Sequence, residues 1–249
     1  MIKEERWEKI LTVIAEKGYV SVQKLADALY VSMPTVRRDL AELEHRGLVI
    51  RSHGAVKLPD EGHSQIPIAF RNTFKIQEKR RLCEAAAELV SDGFVIYVDP
   101  STTFLRIADL LSEKKGVIVV TNSMLTATAL IDAGVRTFCT GGELGGVAYS
   151  FTGGHAEAFA SDFNYDIAFF SSYGVNERGI ITDTSEREIT LRRTVMKQSK
   201  KNVYVCSGEK FSISTPFNFA PLNEMDVVIT DTKVPECCGV SENKIKYVL

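Results

Sequence analysis

Residues 32–45 carry side chains of the types that read DNA sequence. Val36, Leu40 and Leu43 recur at spacings of three and four, which predicts a helix with one buried face. The opposite face of such a helix could present hydrogen-bonding groups to base edges, and arginine pairs with guanine edges or with phosphates. The positions on this helix that we expect to contact DNA are Ser32, Pro34, Thr35, Arg37 and Arg38.

Two further helices are expected before this segment. Apolar residues recur at helical spacing from Trp7 to Ile14, and Gly18 is suited to end that first helix. Ser21 is a candidate N-cap for a second helix, and Ser32 plays the same role for the third. The helix-turn-helix would span about residues 20–39.

Two extended runs, 48–51 and 55–58, follow the third helix, which we expect to end at Gly47. Residues 52–54 would form the turn between them. Three helices and a small hairpin in so short a segment predict a winged helix-turn-helix domain over residues 1–57. The remaining positions expected to hold DNA phosphates are Lys24 on the second helix and Arg51 and His53 on the wing.

The DNA-binding interpretation depends on the whole set of features. Each charge alone is about as often a solvated surface residue as a DNA contact. The helices and the wing occur in order, however, around Ser-x-x-Thr-Val-Arg-Arg-Asp-Leu at residues 32–40, and this combination favours DNA binding.

Beyond the first domain, short apolar runs alternate with helical stretches, which is typical of a parallel sheet covered on both faces. We expect an α/β domain over residues 74–249, joined to the first domain by a proline-containing linker at residues 58–73. The expected strands are 94–98, 117–120, 135–139, 167–171, 203–206 and 227–230, and the expected helices are 74–91, 104–111, 124–133 and 185–199.

Polar residues follow these strands at their carboxyl ends. Open parallel sheets bind their ligands at that edge. The hydroxyls and the expected helix start at residues 101–103 suit a phosphate, and Lys210 would add a positive charge. Taken singly, each strand end could be an ordinary helix cap, but several meeting at one edge favour a hydroxylated, phosphate-bearing ligand. The residues expected to bind it are Asp99, Ser101, Thr102, Thr103, Thr121, Asn122, Gly141, Gly142, Glu143 and Lys210.

The composition is that of an ordinary soluble protein, with 45% hydrophobic and 25% charged residues among 249. The charged N-terminus argues against a signal peptide, and no apolar run is long enough to span a membrane. Five cysteines without paired spacing are expected to be reduced thiols in a cytoplasmic protein. Neither they nor the four histidines have metal-ligand spacing, so we expect no metal and no cofactor.

Residues 32–44 and the following Arg-Ser-His-Gly-Ala at 51–55 resemble the DeoR family of bacterial transcriptional regulators. The C-terminal part resembles the sensor domain of that family, which is similar to ribose-phosphate isomerases. The resemblance implies a repressor of sugar-metabolism genes that binds operator DNA and responds to a phosphorylated sugar. The chain has Asp-Pro-Ser-Thr-Thr at 99–103 where the family usually has Asp-x-Gly-Thr-Thr, and Ser207 where the family usually has aspartate.

Two other functions are compatible with the residues. The first is a sugar-phosphate isomerase with a DNA-binding head, which would need a general base. The candidates for that base are Asp99, Glu143, Asp183 and Glu186, and the sequence gives none of them a proton-transfer partner. The second is a module whose head binds protein. For the regulator we expect a homo-oligomer, a dimer or a tetramer, because helix-turn-helix dimers match palindromic operators.

Overall fold

The computed structural model describes residues 2–46, 48–52, 54–58, 72, 75–145 and 148–248, apart from the side chains of residues 4, 8, 15 and 16. The chain separates into two compact units, Met1–Phe74 and Lys75–Leu249. Most of the linker expected at residues 58–73 lies outside the described residues, and so do Gly47 and His53.

The N-terminal unit consists of three helices and a small antiparallel sheet. Its helices are α1 (Lys3–Lys17), α2 (Val22–Leu29) and α3 (Met33–His45), and its strands are β1 (Tyr19–Ser21), β2 (Ile50–Ser52) and β3 (Ala55–Lys57). The strand order is β1-β3-β2, so β2 and β3 form the wing and β1 adds a strand that the sequence pattern did not indicate. The expected winged helix-turn-helix fold is confirmed.

Two helix starts and one helix end in this unit have the expected local causes. Ser21 Oγ accepts the N–H of Lys24 at 3.2 Å, and Ser32 Oγ accepts the N–H of Thr35 at 3.4 Å. Gly18 ends α1 with a φ of 70°, which glycine adopts without a steric penalty. The fully buried side chains that hold the three helices together include Ile10, Ile14, Leu25, Val36, Leu40 and Leu43.

The C-terminal unit alternates strands and helices along most of its length. Its helices are α4 (Ile76–Ala87), α5 (Ile107–Leu111), α6 (Met124–Asp132), α7 (Gly154–Ser161) and α8 (Glu186–Gln198). Its strands are β4 (Val95–Val98), β5 (Ile118–Thr121), β6 (Arg136–Cys139), β7 (Glu143–Gly145), β8 (Ser150–Thr152), β9 (Ile167–Phe170), β10 (Gly174–Val175), β11 (Ile180–Asp183), β12 (Asn202–Cys206), β13 (Phe217–Pro221), β14 (Val227–Thr230) and β15 (Ile245–Tyr247).

A seven-stranded sheet with the order β15-β14-β12-β9-β4-β5-β6 forms the centre of this unit. Every neighbouring pair in it runs parallel, so the carboxyl ends of its strands share one edge. Successive residues of β4 pack on opposite faces, since Tyr97 belongs to one apolar cluster and Ile96 and Val98 belong to another. The expected α/β sensor fold with a doubly covered parallel sheet is confirmed.

Some boundaries differ from those expected. The helix expected from residue 104 begins at Ile107, because Phe104 N–H bonds to the carbonyl of Ser101 and Ile107 N–H to that of Phe104, which are turns of the tighter i→i+3 type. The elements missed by the sequence analysis are short or rich in small residues, namely β7, β8, α7, β15 and the antiparallel sheet β10-β11-β13.

The backbone at Tyr30 yields a testable prediction about stability. Tyr30 ends α2 with a φ of 55° and is 95% exposed, so its side chain adds no core packing in return for the left-handed conformation. We expect Tyr30→Gly to raise the free energy of unfolding of the N-terminal unit by about 0.5–1 kcal/mol. Denaturation followed by the fluorescence of Trp7, the single tryptophan, reports on that unit. A Tyr30→Ala variant, which keeps a β-carbon, should not gain this stability, and equal values for the two variants would contradict the prediction.

Candidate DNA-binding surface and strand-end site

The N-terminal half of α3 carries the two arginines expected to read DNA. Arg37 and Arg38 are exposed, and neither forms a hydrogen bond or an ion pair with any described residue. Ser32 and Pro34 are also exposed, and the hydroxyl of Thr35 lies 2.9 Å from Ser32 Oγ. This face of α3 therefore offers two unengaged guanidinium groups beside small side chains.

The wing arginine, Arg51, pairs with a carboxylate of the protein, unlike Arg37 and Arg38 of α3. The guanidinium of Arg51 pairs with Glu44 at 2.7 Å, and the Arg51 backbone N–H donates to the same carboxylate at 3.3 Å. Arg51 thus fastens β2 to α3, and a phosphate would have to compete with Glu44 for it. Lys24 lies exposed on α2, while His53 is outside the described residues.

A buried carboxylate that the sequence analysis did not single out fixes the position of α3. Asp39 is 3% exposed, and its Oδ1 accepts hydrogen bonds from Arg6 Nη2 and Trp7 Nε1, both at 3.0 Å. Both donors belong to α1. Because Asp39 must face them, the rotation of α3 about its axis is set, and Arg37 and Arg38 point outward.

At the carboxyl ends of the central strands, an ionic cluster surrounds Arg192 of α8. Its Nε donates to both oxygens of Asp99, which follows β4, at 2.9 and 3.0 Å, and its Nη1 donates to Asp183 of β11 at 2.6 Å. Arg192, Asp99 and Asp183 are 4%, 0% and 4% exposed. Burial raises the pKa of Asp99, and Arg192 opposes that shift. Removing any partner would leave a buried charge unpaired, which is strongly destabilising.

Lys210 reaches the same edge from the turn after β12. Its Nζ donates to Ser171 Oγ at 2.8 Å, and Ser171, which follows β9, donates its backbone N–H to Asp99 at 3.1 Å. The structure therefore brings Lys210 and Asp99 together through one intervening residue, although they are far apart in sequence.

The hydroxyl-bearing residues after Asp99 form a nearly buried turn. Ser101 Oγ accepts the N–H of Thr103 at 3.1 Å. Ser101, Thr102 and Thr103 are 8%, 8% and 4% exposed. They lie at the expected edge of the sheet. The helix α5 begins only at Ile107, so these residues form a separate turn and, contrary to the sequence-based expectation, do not start a helix.

Three residues expected to contact the hydroxyls of a ligand instead have protein partners. Asp99 pairs with Arg192, Thr121 Oγ1 donates to the carbonyl of Val98 at 2.7 Å, and Asn122 Oδ1 accepts the Tyr97 hydroxyl at 2.7 Å. Asp99, Thr121 and Asn122 are all 0% exposed. Neighbouring backbone and side-chain groups of the protein therefore engage all three residues, which have no exposed surface.

The turn after β6 has a constrained backbone and ends in an exposed ion pair. Gly142 has a φ of 107°, and a β-carbon there would come within 2.6 Å of the carbonyl oxygen of Thr152, so the turn requires glycine. Gly141 also has a positive φ, of 66°. Glu143 begins β7, is exposed and pairs with Arg187, so the structure does not bring its carboxylate into the cluster.

Glu188 is a buried titratable group that the sequence analysis missed. It is 6% exposed, and its carboxylate accepts hydrogen bonds from Asn122 Nδ2 at 3.1 Å and from the hydroxyl of Ser150. Burial raises the pKa of Glu188 to about 7, although Arg192 opposes the shift. A signal was present in the sequence, because Glu188, Arg192 and Val195 are spaced by four and three and share one helix face.

The part of the chain that the structure describes holds no cluster suited to a metal ion and no disulfide. No group of three or more histidine, cysteine, aspartate or glutamate side chains there is arranged to hold a metal ion. The five cysteines are free. No described helix is long and apolar enough to cross a membrane.

A winged helix-turn-helix unit with outward arginines, followed by an α/β unit with a polar strand-end site, defines a DNA-binding transcriptional regulator with a sensor domain. Two family models match the chain, the DeoR-like helix-turn-helix domain over residues 6–62 and the DeoR C-terminal sensor domain over residues 75–232. The chain belongs to the DeoR family, and the regulator expected from its sequence is confirmed. The isomerase alternative is not supported, since family members are regulators.

Individual relatives agree with this assignment. The chain is 35% identical to the HTH-type transcriptional regulator YgbI of Escherichia coli (strain K12), over 95% of this chain and 92% of that protein. It is 28% identical to the glycerol-3-phosphate regulon repressor of the same strain, over 94% and 93% of the two chains. Among solved structures, ribose 5-phosphate isomerase A of Methanocaldococcus jannaschii matches 55% of this chain and 54% of its own, with 18% identity and a TM-score of 0.41.

The exposed arginines of α3 yield a prediction about DNA recognition. If Arg37 or Arg38 reads a base, its replacement by alanine should cost about 1–3 kcal/mol of specific binding and relax specificity at one operator position. Competition binding with operator and scrambled duplexes measures both effects. Arg81→Ala removes the same charge from an exposed site in the C-terminal unit and serves as the control. Wild-type affinity in both α3 variants would show that this helix does not read the operator.

The raised pKa of Glu188 yields a prediction about pH. Because that pKa is about 7 in the folded protein and ordinarily 4.5, the folded state binds more protons than the unfolded state between these values, and stability falls as pH rises through this window. Glu188→Gln lacks the group. The free energy of unfolding of the wild type minus that of the variant should therefore fall by up to about 3 kcal/mol between pH 4.5 and pH 7.

Denaturant titrations at the two pH values measure this difference. Glu113→Gln, at an exposed position, should show no such trend. A wild-type-to-variant difference that is the same at both pH values would contradict the buried, proton-binding state of Glu188.

Proposed function

We propose that this protein is a repressor of sugar-metabolism genes whose affinity for operator DNA is changed by a phosphorylated sugar bound at the strand ends. The observation that carries the proposal is the position of Lys210. Its ammonium group lies 2.8 Å from Ser171 Oγ, at the edge that also holds the turn of residues 101–103. The name of the glycerol-3-phosphate regulon repressor, which this chain resembles over nearly its full length, supports a phosphorylated effector.

The phosphate is proposed to bind between Lys210 and the hydroxyls of Ser101, Thr102 and Thr103. A phosphate carries nearly two negative charges, and a lysine ammonium with several hydroxyl donors suits such a group. Ser171, which already accepts a hydrogen bond from Lys210, holds that ammonium group at the edge of the sheet.

The sugar end is proposed to lie on the side of the buried carboxylates. On that side Asp99 and Asp183 outnumber the single positive charge of Arg192, so the net charge is negative, which repels the phosphate and orients the ligand. Asp99, Thr121 and Asn122 are proposed to support this surface from the protein interior. This replaces the direct ligand contacts that the sequence led us to expect for them. Gly141, Gly142 and Glu143 remain proposed contacts at the outer end of the site.

For the N-terminal unit, we propose that Arg37 and Arg38 contact bases while Lys24 contacts phosphates. Ser32, Pro34 and Thr35 are proposed to let the start of α3 approach the groove closely, since their side chains are small. Arg51 and His53 on the wing remain proposed phosphate contacts, with Arg51 exchanging Glu44 for DNA. The regulator is proposed to act in the cytoplasm as a homo-oligomer, matching two-fold operators.

The role proposed for Lys210 predicts a selective loss of ligand-induced stability. A ligand at about 100 times its dissociation constant stabilises the protein that it binds by about 2.7 kcal/mol. Thermal unfolding with a panel of phosphorylated sugars should reveal such a shift in the wild type, and Lys210→Ala should remove most of it. The unliganded melting temperature should change little, because Lys210 is partly exposed and packs into no core cluster.

Lys115→Ala, at an exposed position in the same unit, is the matched control and should keep the wild-type shift. The absence of a shift with every phosphorylated sugar in the wild type would overturn the proposed effector class. A large loss of unliganded stability in Lys210→Ala would instead show that Lys210 is structural.

A further inference from the structure

Arg192 has hydrogen-bond donors that the protein does not use. Its guanidinium carries five N–H groups, one on Nε and two on each terminal nitrogen. Nε donates to Asp99 and Nη1 to Asp183, whereas Nη2 donates to no described residue. Nη2 is not fully buried, so it retains contact with solvent.

The position of this free nitrogen places it at the strand-end site. Asp99 directly follows β4, and Asp183 is the last residue of β11, so the guanidinium between them lies where the strands end. Arg192 is only 4% exposed, so nearly all of its surface contacts protein. A side chain so deeply buried normally has its polar atoms satisfied.

The surroundings of Nη2 decide which kind of acceptor would satisfy it. Two carboxylates, Asp99 and Asp183, contact the single positive charge of Arg192, and the carboxyl group of Glu188 lies one helical turn away on α8. The two carboxylates outnumber the one guanidinium, so the local charge is negative. A phosphate would be repelled here, whereas a neutral hydroxyl or carbonyl oxygen could accept a hydrogen bond.

We propose that Arg192 determines effector specificity, with its Nη2 donating a hydrogen bond to a hydroxyl or carbonyl oxygen on the sugar end of the phosphorylated ligand. This inference rests on the proposed function and goes beyond it, because it assigns the recognition of the non-phosphate end to one residue. The planar guanidinium suits the task, since it can hold two carboxylates and still direct donors to a third partner.

The test compares a sugar phosphate with inorganic phosphate in the wild type and in Arg192→Lys. Lysine keeps a positive charge between Asp99 and Asp183 but lacks the fork of donors. Calorimetric titration should show that Arg192→Lys binds the phosphorylated sugar at least tenfold more weakly, while its affinity for inorganic phosphate changes less than twofold. Arg193→Lys, the same substitution at the adjacent exposed arginine, should keep both affinities.

The outcomes separate the two proposals. If the wild type binds no phosphorylated sugar, the proposed function fails, and this inference fails with it. If the wild type binds one and Arg192→Lys binds it equally well, only this inference fails. Should Arg192→Lys melt far below the wild type, a crystal structure of the wild type with the sugar phosphate decides. A ligand oxygen within hydrogen-bond distance of Nη2 supports the inference, and a pose that leaves Nη2 to water overturns it.

Discussion

The carboxyl-terminal edge of the central sheet depends on the pairing of Arg192 with Asp99 and Asp183. These two carboxylates belong to different sheets, one at the end of the central parallel strand β4 and the other in the small antiparallel sheet. Without the guanidinium, two buried negative charges would face each other unpaired, and breaking a buried ion pair typically costs about 3–5 kcal/mol. Arg192 therefore joins α8 to both sheets.

The N-terminal unit uses a similar interaction for a different purpose. Asp39 on α3 accepts hydrogen bonds from Arg6 and Trp7 on α1, and this contact fixes the helix that carries Arg37 and Arg38. In both units a buried carboxylate pairs with an arginine from a different secondary-structure element. The polar surface beside each pair, with Arg37 and Arg38 in one unit and the strand ends in the other, is held in a defined orientation.

Sequence patterns predicted the regular elements well because burial imposes periodicity. The spacing of Val36, Leu40 and Leu43 placed α3, and the apolar runs placed the central strands in the parallel sheet. The strands β7 and β8 were missed because three residues are too few to show a period, and α7 was missed because its glycine and alanine residues give a weak apolar pattern.

The site was harder to predict than the fold, since residue type does not reveal pairing. Asp99 and Asn122 follow strands as expected, yet partners distant in sequence engage both. One of these partners, Arg192, lies 93 residues from Asp99, and no local pattern records that contact. Departures from family residues at Ser101 and Ser207 indicated that the site differs, but only the folded chain shows which groups remain available to a ligand.

The most direct test of this account is the affinity of the full-length protein for its operator, with and without a saturating phosphorylated sugar. Fluorescence anisotropy of a labelled operator duplex measures it at fixed salt, because DNA affinity depends strongly on ionic strength. The account predicts specific binding and a change of at least about fivefold on adding the effector, with the same factor appearing in effector affinity when DNA is bound. Equal DNA affinity with and without a bound effector would contradict a sensor coupled to DNA recognition.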